Sequence, residues 1–83
     1  MRTIAKVVGI GARKSGISNK TQRAYDFTPF HLIYKDKSVE GAAAAAPLVD
    51  QSVLDPIPLP KIGDEIDIVY HFVNGSMTVD AIL

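Results

Sequence analysis

The chain has 83 residues, no cysteine, and nine basic against nine acidic side chains, which allows one small domain and excludes disulfides and thiolate metal sites. A chain this short buries only about 60 to 65% of its unfolded surface, so its core is thin and a subunit interface is the expected supplement. The zero net charge conceals an asymmetry: residues 1–40 hold eight cations against three anions, a net of +5, and residues 41–83 one cation against six anions, a net of −5.

Residues 3–10, TIAKVVGI, are rich in β-branched side chains and read as the first strand, with Gly9 a place for a bulge or bend. The charges at Arg2 and Lys6 leave too short an apolar run for a signal peptide or a membrane span, so no membrane association and a cytoplasmic location are expected. Gly11 allows a bend, and GARKSGIS continues as a second extended segment up to a polar turn at Asn19–Gln22. In RAYDFTPFHLIYK the aromatic and polar residues alternate from Tyr25 to Phe30, which suits a half-buried strand. Pro29 cannot donate a ladder hydrogen bond, so that strand is expected at an edge or broken there.

Residues 35–63 read as a long connection carrying one weak strand or short helix around Pro47–Leu54. The alanines at 42–46, fenced by Gly41 and Pro47, are too few for an independent helix and are read as filling tight space. Two alternating runs then follow, EIDIVYHF and SMTVDAIL, separated by Val73, Asn74 and Gly75, a hairpin signal. Ile66, Ile68 and Tyr70 share one face of the fourth strand, and Met77, Val79 and Ala81 one face of the fifth. Five short strands, a long irregular connection and no βαβ spacing predict a small all-β barrel, one domain over residues 1–83.

Catalysis finds little support. Ser15, Ser18 and Ser38 have no histidine and carboxylate at a motif spacing, and GIGARKSG lacks the order of a phosphate-binding loop. His31 and His71 are read as surface or packing residues, so neither enzymatic activity nor a metal or cofactor is expected.

The cations are a different matter. Arg13, Lys14, Lys20 and Arg23 fall within eleven residues, and Tyr25 and Phe27 follow on the outgoing strand with the same side-chain parity. Phosphates need cations, and an unpaired base stacked on an aromatic ring gains about 1 to 3 kcal/mol. A hairpin bearing both suits a single-stranded nucleic acid, with Tyr25, and Phe27 or Tyr34, as stacking residues. The competing reading makes Tyr25 and Phe27 core residues; binding needs only one of them exposed. A second function class is a small protein-interaction module using this hairpin or the acidic carboxyl half. Val69, Phe72, Val73 and Met77 exceed what so small a barrel readily buries, which points to a homodimer.

KSGISNKTQRAYDF resembles the amino-terminal hairpin of the filamentous-phage gene V type, helix-destabilising single-stranded DNA-binding proteins. There an R-S-G-V-S stretch, a short polar turn, a basic residue and a tyrosine follow one another. IGDEIDIVYHFVNGSMTVDAIL resembles that family's last hairpin, where an apolar strand turns through a glycine-serine pair into an L-M-I-D-type strand. The two blocks cover about half the chain, and the alanine and proline segment has no counterpart.

The resemblance implies a five-stranded OB-like Greek-key barrel with a protruding basic hairpin. It also implies a two-fold homodimer that coats single-stranded phage DNA cooperatively during replication without reading sequence; binding of single-stranded RNA is left open. By the same resemblance Lys14 takes the place of a backbone-contacting arginine, and Asn19 or Lys20 that of the next basic residue. Tyr25 matches the DNA-proximal tyrosine, and Phe27 the apolar residue two places later. Two departures stand out: Asn74 occupies the family's aromatic position beside the last hairpin's glycine, so Phe72, displaced by two, is the aromatic expected at the nucleic acid there, and Ala81 follows Asp80 where the family has arginine. Both shift the expected DNA contact onto Arg13, Lys14, Lys20 and Arg23.

Overall fold

Apolar alternation runs along four of the five principal strands, the exposed Lys14–Ile17 segment being the exception, and the connection adds two short ones. The computed structural model describes all of residues 1–83, in the order β1 (Arg2–Ile10), β2 (Lys14–Ile17), β3 (Ala24–Tyr34), β4 (Ala43–Ala45), β5 (Leu48–Asp50), α1 (Gln51–Leu54), β6 (Glu65–Val73) and β7 (Ser76–Ile82). The strands form one open antiparallel sheet in the order β2-β3-β1-β6-β7, with β4 and β5 added along β3. No helix is long and apolar enough to cross a membrane.

β3 organises the molecule because four strands pair with it. On one edge, β2 pairs with its first half (Lys14 opposite Phe27, Ile17 opposite Ala24) and β1 with its second (Ile10 opposite Phe30, Ala5 opposite Tyr34). On the other edge, β5 pairs at Phe27–Pro29 and β4 at Leu32–Tyr34. The strand is therefore neither broken at Pro29 nor confined to an edge, contrary to the sequence expectation. The Pro29 carbonyl accepts from the Gly11 N–H at 2.8 Å, and in a strand the N–H and C=O of one residue point the same way. The donor that proline lacks thus faces the bend between β1 and β2, where no ladder asks for it.

The alanine run forms β4 because β3 offers it an edge, so a segment with helical propensity is extended by pairing. After it, Asp50 caps the single turn of α1 by accepting from the Ser52 N–H at 2.9 Å. At the other end of the sheet, Asn74 (φ 51°) and Gly75 (φ 81°) make a two-residue turn with both residues in the left-handed region, joining β6 to β7 with Val73 opposite Ser76.

The core lies on the even-numbered face of β3 (Phe30, Leu32, Tyr34) and takes Ala5 and Val7 from β1, Ile68 and Tyr70 from β6, and Val49 and Leu54 from the connection. From β7 it takes Met77, Val79 and Ile82, where the alternation predicts Ala81. The ladder slips here, Val69 facing Ala81 and Tyr70 facing Val79, so Asp80 is an extra residue that turns the end of the strand over. β2 contributes nothing to the core; all four of its residues are exposed. The radius of gyration, 13.1 Å, accordingly exceeds the about 12 Å of a globular chain this long.

Two substitutions separate core from hairpin. Phe30→Ala is expected to cost about 3 to 5 kcal/mol in urea unfolding, and Ile17→Ala, on exposed β2, less than about 0.5 kcal/mol. Comparable losses at both positions would contradict a hairpin that stands outside the core.

Candidate nucleic-acid interface

The β2–β3 hairpin is a two-stranded ribbon whose register assigns each side chain to a face. Lys14 lies opposite Phe27 and Gly16 opposite Tyr25, so these four share one face. Ser15, Ile17, Ala24 and Asp26 share the other. The ribbon closes when the Ser18 N–H donates to the Arg23 carbonyl at 2.9 Å and the Gln22 N–H to the Ser18 carbonyl at 2.8 Å, with Gln22 at φ 55°. Lys20 and Arg23 are exposed on this loop.

Tyr25 and Phe27 are neighbours on one face, ring centroids 5.7 Å apart and tilted by 31°. Neither belongs to the core cluster; Tyr25 is 41% exposed and Phe27 half-buried. Of the two sequence readings, the one that placed them in the core is excluded. The sequence reading omits Gly16, which shapes this surface. A Cβ there would come within 2.8 Å of the Tyr25 hydroxyl and 3.1 Å of Cζ, so the missing side chain lets the tyrosine ring lie flat across β2. The hairpin register is the signal that pairs these two residues once the turn is placed.

The four cations divide. Arg13 lies on the opposite face, its Nε donating to Asp26 Oδ1 at 2.7 Å while a terminal guanidinium nitrogen donates to Asp26 Oδ2. That fork holds the Asp26 carboxyl below its ordinary value, mainly through the hydrogen bond from Arg13. Lys14, Lys20 and Arg23 form no ion pair and are exposed. The hairpin thus carries three uncompensated cations.

The remaining expected residues lie elsewhere. Tyr34 is 7% exposed and part of the core, its ring 6.0 Å from that of Tyr70. Burial, then Tyr70 and Asp36, push its hydroxyl pKa up. Its ring has no free face for a base, which corrects its assignment as a stacking residue. Phe72 is 43% exposed and meets Tyr70 edge-on at 5.8 Å. It lies on β6, at the other end of the sheet from the hairpin, and lines a cleft of about 540 Å³ with Tyr34, Leu48 and Met77. Of the acidic residues that open β6, Asp67 is engaged within the chain by Arg2, whose Nε donates to Oδ1 at 2.9 Å.

The chain matches no protein-family model, no curated protein and no solved structure. The likeness to the gene V type proteins rests on the two sequence blocks that carry it.

Two outcomes follow from this geometry. Gly16→Val is expected to lift Tyr25 off β2 and raise the accessibility of tyrosine emission to a collisional quencher, since Tyr34 and Tyr70 are buried; unchanged quenching would contradict the packing of Tyr25 on Gly16. Asp26, Asp36, Asp50 and Asp67 all have pKa values lowered from the ordinary 3.8 by hydrogen bonds formed on folding. A carboxyl lowered on folding stabilises above its unfolded value and loses that contribution as pH falls through the folded one. The thermal midpoint should therefore drop below pH 3.8, less steeply in Asp26→Asn; a midpoint that rises on acidification through this window would contradict these contacts.

Proposed function

We propose that this chain is a sequence-tolerant single-stranded DNA-binding protein whose β2–β3 hairpin holds the strand. The observation that carries the reading is the face on which Tyr25 and Phe27 lie side by side, outside the core, across from Lys14 and the side-chain-free Gly16. Rings in that setting offer π surface to any base, and Lys14, Lys20 and Arg23 supply charge to the backbone without reading sequence. Duplex DNA hides its base faces and gives the rings nothing to stack on. In keeping with the sequence resemblance, the fold is read as an OB-like Greek-key barrel whose seam between β5 and β7 is packed but not hydrogen-bonded. The biological role is read as cooperative coating of phage single-stranded DNA during replication, in the host cytoplasm.

A homodimer fits the same reading. Phe72 and Val73, at the tip of the last hairpin, are 43% and 50% exposed, which is costly in a monomer and useful in an isologous contact. Met77, expected with them, is instead in the core. Val73→Glu should shift sedimentation at micromolar concentration from dimer to monomer; a wild-type monomer would contradict the dimer.

The function is tested by fluorescence anisotropy of labelled oligo(dT), oligo(U) and duplex DNA at several salt concentrations. Tight binding to oligo(dT), weak binding to duplex and a log–log salt slope of about −2 or steeper are expected, three free cations at about 0.7 each setting the lower bound. Tyr25→Ala should cost about 1 to 3 kcal/mol. A flat slope or no binding at low salt would overturn the proposal and favour a protein partner for the hairpin.

A further inference from the structure

The aromatic face of the hairpin does not stop at Phe27. β3 is continuous from Ala24 to Tyr34, and its odd-numbered side chains point away from the core, so Tyr25, Phe27, Pro29 and His31 form one row of four rings on the outward surface. Three glycines, on the neighbouring strands β1 and β2 and in the bend between them, keep that row uncovered. Besides Gly16 beneath Tyr25, a Cβ at Gly11 would lie 3.0 Å from the Pro29 ring, and one at Gly9 would lie 3.2 Å from His31. On the opposite side Ala44 and Ala46, both exposed, line with His31 and Ile33 a shallow depression of about 380 Å³.

Ile33 continues into a second depression that also holds Lys6 and Lys35. Both lysines are exposed and make no ion pair. The row of rings therefore has Lys20 and Arg23 at one end, Lys14 beside Phe27, and Lys6 and Lys35 at the other end. The anions beside it are few: Asp50, opposite Phe27, is turned onto the Ser52 N–H and hydroxyl, and Glu65 lies opposite Lys6.

We infer that the bound single strand runs beyond the hairpin along the outward face of β3, packing on Pro29 and stacking on His31 as well as on Tyr25 and Phe27, with Lys6 and Lys35 taking its far phosphates. This inference rests on the single-strand reading above. Same-face side chains on a strand recur about every 6.6 Å, so the four rings span about 20 Å. That repeat is about twice the ~3.4 Å rise per nucleotide of a stacked duplex strand. The surface fits an extended strand with its bases drawn apart, and the cations at both ends match an anionic polymer that crosses the whole row.

The test compares affinity for labelled oligo(dT) among Tyr25→Ala, His31→Ala, His31→Gln and the double variant Lys6→Gln/Lys35→Gln, with thermal midpoints as the folding control. His31→Ala should weaken binding about 5- to 150-fold, the range of one lost stacking contact, and His31→Gln, which also lacks the ring, should do the same. The double lysine variant should flatten the salt slope by about 1.4. If Tyr25→Ala weakens binding while the His31 and lysine variants bind like wild type, the track along β3 is overturned and the hairpin reading stands. If wild type does not bind, or Tyr25→Ala binds as wild type does, both fall together.

Discussion

The constraint on which the rest of the structure depends is the parity of β3. Eleven residues in one unbroken strand send Thr28, Phe30, Leu32 and Tyr34 inward and Tyr25, Phe27, Pro29 and His31 outward. A slip of one residue would exchange the sets, putting Phe30, the largest fully buried side chain, into water and a histidine into the core. Four strands pair with β3 and pin that register from both edges. The core and the surface proposed to hold the single strand are thus two sides of one strand, and neither can be altered without the other.

Under the single-strand proposal, that arrangement would answer the difficulty of a small neutral chain holding a polyanion. On that proposal the protein would not need a large basic patch, because the rings would carry the non-electrostatic part of the interaction, with few free cations beside and beyond them. The anions of the carboxyl half are mostly engaged or distant: Asp67 holds Arg2, Asp50 caps α1, and Asp80 pairs with His71 at 2.8 Å. Arg13 is withdrawn from the basic group by Asp26.

Much of the architecture was legible in the chain. The turn at Asn74–Gly75, the alternation that fills β6, and the polar loop after Ile17 are local signals, written in residue types that demand a particular backbone. That Tyr25 and Phe27 share a face follows from alternation alone, whereas that this face looks outward is decided by the tertiary packing of β3. The failures came where a distant partner decides. Pro29 looked like a strand breaker because the bend that faces it lies at Gly11, eighteen positions earlier. The alanines became β4 only because β3 had a free edge, and the extra residue at Asp80 moved Ile82 into the core in place of Ala81. Arg13 looked available because its pairing with Asp26 depends on the hairpin register, and Tyr34 looked like a stacking residue until burial removed its faces.

The most direct test of the central claim, that Tyr25 stacks on bases of a bound single strand, is tyrosine emission followed during titration with unlabelled oligo(dT). The chain has no tryptophan, and Tyr25 is its one exposed tyrosine. Emission should be quenched on binding in the wild type. In Tyr25→Phe, which keeps a ring for stacking but loses the fluorophore, oligo(dT) should bind with similar affinity and leave the emission unchanged. Binding without quenching in the wild type, or equal quenching in Tyr25→Phe, would contradict the account.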